Sequence, residues 1–198
     1  MTRFDCLWKV TLGSIALAAA AAPCHASVTS FTDYAAWSPA AGSTSTITFG
    51  ELPPGTLVTD QYAGLGVTFT DPDPNFCGIV SGASDGFALN GFDLIEVTFA
   101  APILSFGWDH PGWTRARFYL GDVLVFNTGY VGNGTWTFNG IVSTMPFDRV
   151  QLNDLPSAGG VHDVFVDNMH FSTIPAPHAA AVLGVGAAML SRRRRRPR

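Results

Sequence analysis

From residue 44 to residue 171 the chain never holds a helical period, because turn residues cut every alternating run short. Thr46-Ile47-Thr48-Phe49 alternates before Pro53-Pro54-Gly55, and Gly66-Val67-Thr68-Phe69-Thr70 alternates again. Asn90-Gly91 stands between residues 87–89 and an apolar run over 92–99. That pair predicts a hairpin, since both central residues of a type I′ turn need positive φ. Residues 103–108 read as the next strand, and Gly121-Asp122 joins a strand over 115–120 to one over 123–126. Thr135-Trp136-Thr137-Phe138 alternates strictly before a second Asn-Gly pair, Asn139-Gly140, and residues 147–153 and 164–171 close the set. Nine or ten short strands of this kind predict an all-β fold, a sandwich or barrel, with the jelly-roll form of β-sandwich as the specific expectation. The one helix expected inside the domain spans 31–37, with Thr32 able to cap it and Asp33 suited to its first turn.

Both ends of the chain differ in kind from this middle. Arg3 and Lys9 precede an uncharged run over 10–22 that is too short to span a roughly 30 Å hydrocarbon layer. Cys24 and Ala26 place small residues three and one before Ser27, so residues 1–26 read as a signal peptide with an apolar helix, cleaved after Ala26. At the other end Pro175, Ala176 and Pro177 break any preceding strand. An apolar helix is expected over 178–190, and a basic cluster including Arg192, Arg193 and Arg194 follows it. Such a cluster holds its end of a membrane segment on the cytoplasmic side, so residues 174–198 read as a sorting tail that engages the inner membrane transiently.

Removing the ends exposes the charge of the domain between them. Residues 27–174 carry 14 acidic side chains against Arg115, Arg117 and Arg149, and no lysine. So acidic a body repels phosphate backbones and argues against nucleic acid as a partner, while it attracts cations such as calcium. Only Cys77 remains in the mature chain, so no internal disulfide is available and Cys77 is expected to be a small buried apolar residue. Residues 27–173 must therefore stand on their hydrophobic core as one domain.

The tail, with Ile174-Pro175-Ala176-Pro177, its Ala/Gly/Leu/Val helix and the arginine stop, resembles a PEP-CTERM sorting signal, with Ala176 where the family usually has glutamate. The resemblance implies export across the inner membrane of a Gram-negative-type bacterium, handling by an exosortase, and a place on the cell surface or in the extracellular matrix. Residues 46–69, ITFGELPPGTLVTDQYAGLGVTF, and residues 164–171, VFVDNMHF, are similar to the opening and closing strands of exported PEP-CTERM domain proteins. These resemble galactose-binding-like jelly rolls, a fold common among carbohydrate-binding modules. Carried across by position, Glu51 and Asp167, with Asn168 in place of a second acid, would hold a structural calcium.

For a ligand the sequence offers Trp108-Asp109-His110-Pro111-Gly112-Trp113. An aromatic face can stack on a sugar ring and neighbouring polar groups can bond its hydroxyls. Parity along residues 104, 106 and 108 turns Trp108 inward, and Trp136 and Phe138 also read as buried, which leaves Trp113 as the exposed platform with Asp109 and His110 beside it. The plainer alternative is that both tryptophans are core and Asp109 caps a turn. Gly82-Ala83-Ser84-Asp85-Gly86 matches a nucleophile elbow, but that motif needs a strand-to-helix turn and a β-hairpin is expected here. Residues 71–75 lack the glycine of a calcium loop. The expected function is a non-catalytic, polysaccharide-binding surface or matrix protein. The alternatives are a coat or biofilm scaffold without a specific ligand, and a small secreted hydrolase built on Asp109 and His162.

Overall fold

The computed structural model describes residues 27–71, 77–81, 86–154 and 163–173. The expected signal peptide and sorting tail, Ser84 and His162 lie outside them. The elements run β1 (Val28–Phe31), α1 (Tyr34–Ala41), β2 (Thr44–Ile47), a 3-10 turn (Ala63–Leu65), β3 (Val67–Thr70), β4 (Gly78–Ser81), β5 (Phe87–Phe92), β6 (Leu94–His110), β7 (Trp113–Leu120), β8 (Val123–Gly132), β9 (Thr137–Asp154) and β10 (Asp163–Thr173). All the strand pairings are antiparallel, in the order β4-β5-β10-β6-β9-β7-β8, with β1 added to β9, β2 to β10 and β3 to β6.

Two strands are far longer than the sequence suggests, and they make the fold. The expected strands at 92–99 and 103–108 belong to the single 17-residue β6, and those at 135–138 and 147–153 to the 18-residue β9. Their ladder shifts register between Thr98 and Ser105, on either side of Pro102, which has no amide to give. On one side of that break residues 94–98 pair with β9 at 149–153 and with β3; on the other side residues 103–110 pair with β9 at 137–147 and with β10. One limb is therefore β3-β6-β9-β7-β8 and the other β2-β10-β6-β9-β1. Ile95, Val97, Phe118 and Val150 of the first join Phe106, Ile141, Met169 and Phe171 of the second in one buried cluster. Phe106 lies 6.1 Å from Phe118 and Phe99 lies 5.4 Å from Phe171, centroid to centroid, so the limbs enclose a shared core as a β-sandwich.

The outer faces of the two limbs have different fates. Helix α1 starts three residues later than expected: Asp33, not Thr32, is its cap, accepting from the Ala35 N–H at 2.9 Å. It lays Trp37 on the second limb, where the indole N–H donates to the Ile141 carbonyl at 3.0 Å and the ring packs against Phe138 and His170. Room for it comes from Gly107 and Gly140, paired directly across the ladder. A β-carbon on Gly140 would sit 2.6 Å from the Trp37 ring, and one on Gly107 would sit 2.7 Å from Phe138.

Neither Asn-Gly pair is the turn that the sequence predicts. Asn139-Gly140 lies inside β9, and Asn90-Gly91 inside β5, which pairs on both sides, with β4 and β10. Gly91 is small because Ile95 would lie 2.4 Å from its β-carbon, and the chain turns at Asp93, with φ of 63°, instead. In both pairs the glycine serves close packing, a demand that outweighs local turn preference. The hairpin expected at Gly121-Asp122 does form, with Gly121 at φ 56°. Gly140→Ala should overpack the Trp37 seat and lower stability by about 1–3 kcal/mol in urea unfolding. Gly64→Ala, with nothing within 4 Å of the new carbon, should stay within about 0.5 kcal/mol.

Candidate ligand-binding face

Among the described residues no helix covers the outer face of the β3-β6-β9-β7-β8 limb, and strand parity decides what stands on it. Along β7, Thr114, Ala116 and Phe118 point into the core, which turns Trp113, Arg115, Arg117 and Tyr119 outward. Their ladder partners on β9 are Asn153 opposite Arg115, Gln151 opposite Arg117 and Arg149 opposite Tyr119. Beyond β9 the same rows reach Glu96 and Thr98 of β6 and then Thr70 and Thr68 of β3. On the other side Tyr130 and Asn127 of β8 complete the strip.

This face is pre-set by contacts within the strip. Gln151 donates to Glu96 at 2.8 Å and accepts from the Tyr119 hydroxyl at 3.2 Å. Arg149 pairs with Glu96 at 3.3 Å, lies over the Tyr119 ring at 4.7 Å, and donates to the Gly121 carbonyl at 3.0 Å. Arg115 lies over Tyr130 at 4.9 Å. Side chains fixed this way lose little freedom when a ligand settles on them. Two hollows adjoin the strip. One of about 300 Å³ is lined by Thr32, Val131, Gly132, Asn133, Thr137 and Asn139, and Gly132 is the ladder partner of Trp113. The other, of about 220 Å³, is lined by Thr70, Asp71, Leu94 and Glu96.

The residues singled out from sequence fall in two places. Trp113 is 46% exposed at the end of the strip, as its flanking residues suggest. Asp109 and His110 are not beside it on a loop, because β6 continues through both and only Pro111 and Gly112 form the turn. His110 shares the inward parity of Trp108 and is fully buried, with its Nε2 2.7 Å from the Asn139 amide nitrogen, so it cannot meet a ligand at the surface. Asp109 turns to the helix-covered side, where it is opposite Asp167 in the ladder and accepts from Asn168 Nδ2 at 3.0 Å. Trp136 is half-buried just before β9 rather than within a strand.

The residues expected to hold calcium differ in their settings. Asp167 is fully buried beside Asn168, which sits at a bulge with φ of 42°, whereas Glu51 lies exposed in the β2–β3 loop and accepts from the Thr48 hydroxyl at 3.2 Å. Asp167 is the ladder partner of Asp109. Among the described residues no group of three or more His, Cys, Asp or Glu could hold a metal ion. Cys77 is buried as expected, and that burial, with Asp71 nearby, pushes its thiol up to about 12.

Sequence reasoning passed over Arg115, Arg117, Tyr119, Tyr130, Arg149 and Gln151 as site residues. The signal was present: in Trp113-Thr114-Arg115-Ala116-Arg117-Phe118-Tyr119 every second residue is aromatic or cationic, and the two arginines belong to a domain that has only three cations.

No family model and no curated protein matches this chain. Among solved structures it is similar to the K2 cleaved adhesin domain of Lys-gingipain, at 12% identity and a TM-score of 0.46, over 66% of this chain and all of that one. It is also similar to a point mutant of CBM29-2, a family 29 carbohydrate binding module, at 16% identity and a TM-score of 0.35, over 67% of this chain and 93% of that one. At these values the likeness assigns neither a family nor a ligand.

Burial also sets how the domain answers to pH. His110 and His170 are both held down to about 4, because each ring is removed from water; His170 lies against the Tyr34 ring at 4.6 Å. An unfolded chain takes up protons on both near pH 6.5, while the folded domain refuses them until about pH 4. Stability should therefore be unaffected by these groups above about pH 6.5, fall as pH drops from there to about 4, and gain no further histidine dependence below. Urea midpoints measured across this window should show the fall, and His110→Gln or His170→Gln should flatten it.

Proposed function

We propose that this chain is an exported, non-catalytic polysaccharide-binding module of jelly-roll form, and that the outer strip of the β3-β6-β9-β7-β8 limb is where it binds. The observation that carries this is the exposed Trp113 at one end of a strip of amides, hydroxyls and guanidiniums, with Glu96 held by Gln151 and Arg149. An aromatic face covers the apolar C–H face of a sugar, while fixed polar groups beside it select hydroxyls. An open sheet face admits a long chain passing across it, which a closed pocket would not. Export and sorting by an exosortase to the cell surface or matrix are supported by the apolar segments and the Pro175, Ala176, Pro177 and arginine-cluster pattern at the ends of the sequence.

One observation favours a second reading, a coat or scaffold role. Val123 and Leu124, 69% and 50% exposed, open the edge strand β8, where copies could pair. Pull-down of the purified protein on a panel of insoluble polysaccharides separates the two. Binding is expected on at least one of them, and Trp113→Ala should weaken it by about 1 kcal/mol or more without shifting the melting temperature. Retention on none, together with concentration-dependent assembly abolished by Val123→Lys, would establish the scaffold instead.

A further inference from the structure

The strip reverses the charge of the body that carries it. Residues 27–174 hold 14 acidic side chains and only three cationic ones, and all three, Arg115, Arg117 and Arg149, stand on this one face. Arg149 is neutralised where it stands, by Glu96 at 3.3 Å and Asp122 at 3.5 Å. Arg115 and Arg117 are not. Among the described residues neither has a carboxylate within salt-bridge distance, and neither guanidinium donates a hydrogen bond. In a chain so rich in acids, two unpaired guanidiniums do not reflect a shortage of partners.

Their setting favours an anion brought from outside. Arg115 is steadied over Tyr130, and its Nε is buried without an acceptor, which leaves the outer nitrogens of the fork as its reaching end. Arg117 is two residues further along the same face, roughly 6.5–7 Å away. Each fork matches the two oxygens of a carboxylate. Asn153 and Gln151 stand opposite them on β9, and Trp113 precedes them on β7, so one line along the strand presents an aromatic ring and then two cations flanked by amides. The width of the ligand follows from screening. A broad acidic surface would face the acidic body as well as the strip, whereas a thin chain lying along the strip feels mainly the groups within about 8–10 Å of it.

We infer that the strip takes an acidic polysaccharide, with a sugar ring against Trp113 and uronate carboxylates on Arg115 and Arg117, an inference that rests on the polysaccharide-binding reading given above.

Calorimetric titration of the purified protein, with EDTA present throughout, tests this against three chains: polygalacturonate, a neutral β-glucan and polyglutamate. Polygalacturonate should bind most tightly and weaken as salt rises from roughly 50 to roughly 500 mM. Arg115→Gln and Arg117→Gln should each weaken it about tenfold or more, with Arg115→Lys in between, because lysine keeps the charge but loses the fork. Arg117 makes no side-chain hydrogen bond or ion pair among the described residues, and an unchanged melting temperature in its variant separates a loss of binding from a folding effect. If the neutral glucan binds as well and both glutamine variants bind normally, the acidic-ligand inference fails while polysaccharide binding stands. If no polysaccharide binds, both fall. Polyglutamate binding as tightly as polygalacturonate would overturn the inference, since charge alone would then suffice. Polygalacturonate binding that appears only in a parallel titration without EDTA would overturn it too, by showing that a cation bridges the acidic body to the ligand. Self-association abolished by the arginine variants would show that the strip joins copies of this chain, and would also overturn it.

Discussion

The antiparallel ladder between β6 and β9, from Leu94 opposite Asn153 to His110 opposite Thr137, is the interaction on which the other elements depend. Because its two strands pass from one limb to the other together, the limbs must close over one another, and the side chains on their facing surfaces have nowhere else to go. The break around Pro102 sets where the turn between limbs falls. Each limb then recruits its neighbours onto a ladder that already exists: β3, β7 and β8 on one, β1, β2 and β10 on the other.

That closure leaves two outer faces with opposite needs. One limb carries the paired Gly107 and Gly140, and so exposes a strip of bare backbone that Trp37 covers, with Phe138 and His170 around it. Such a face is sealed, with His170 held away from water beneath the helix. Among the described residues the other face has no helix to cover it and no glycine seat to fill. It carries long polar and aromatic side chains that support one another through Glu96, Gln151, Tyr119 and Arg149. A face ordered in this way yet open to solvent is where a ligand can replace water at small entropic cost.

The alternation of residues identifies β-structure in most of the places where it occurs, and it turns Trp108 inward. Local patterns could not reveal how those strands continue. Pro102 and the polar residues near 144 look like ends, but a bulge lets a paired strand carry on through them. The Asn-Gly pairs misled for a related reason: glycine is required both by a positive φ and by a neighbour pressing on the backbone, and the sequence does not say which. Of the site, Trp113 was legible from its own flanks. The arginines were visible as a charge count but not as a cluster, since Arg149 reaches Arg117's face only through the β7–β9 pairing. Asp109 and His110 were assigned to a loop because nothing before Pro111 signals that β6 is still running.

The central claim is that ligand meets the open limb along β7 and its neighbours, away from the helix-covered side. Amide and indole chemical-shift mapping during titration with a short oligogalacturonate measures this most directly. The account predicts that the Trp113 indole and the backbone amides of Arg115, Arg117, Tyr130 and Gln151 move together, saturably, while those around Trp37, Asp109 and His170 stay still. Shifts gathered instead on α1 and the Asp109–Asp167 side, with the strip unmoved, would contradict it.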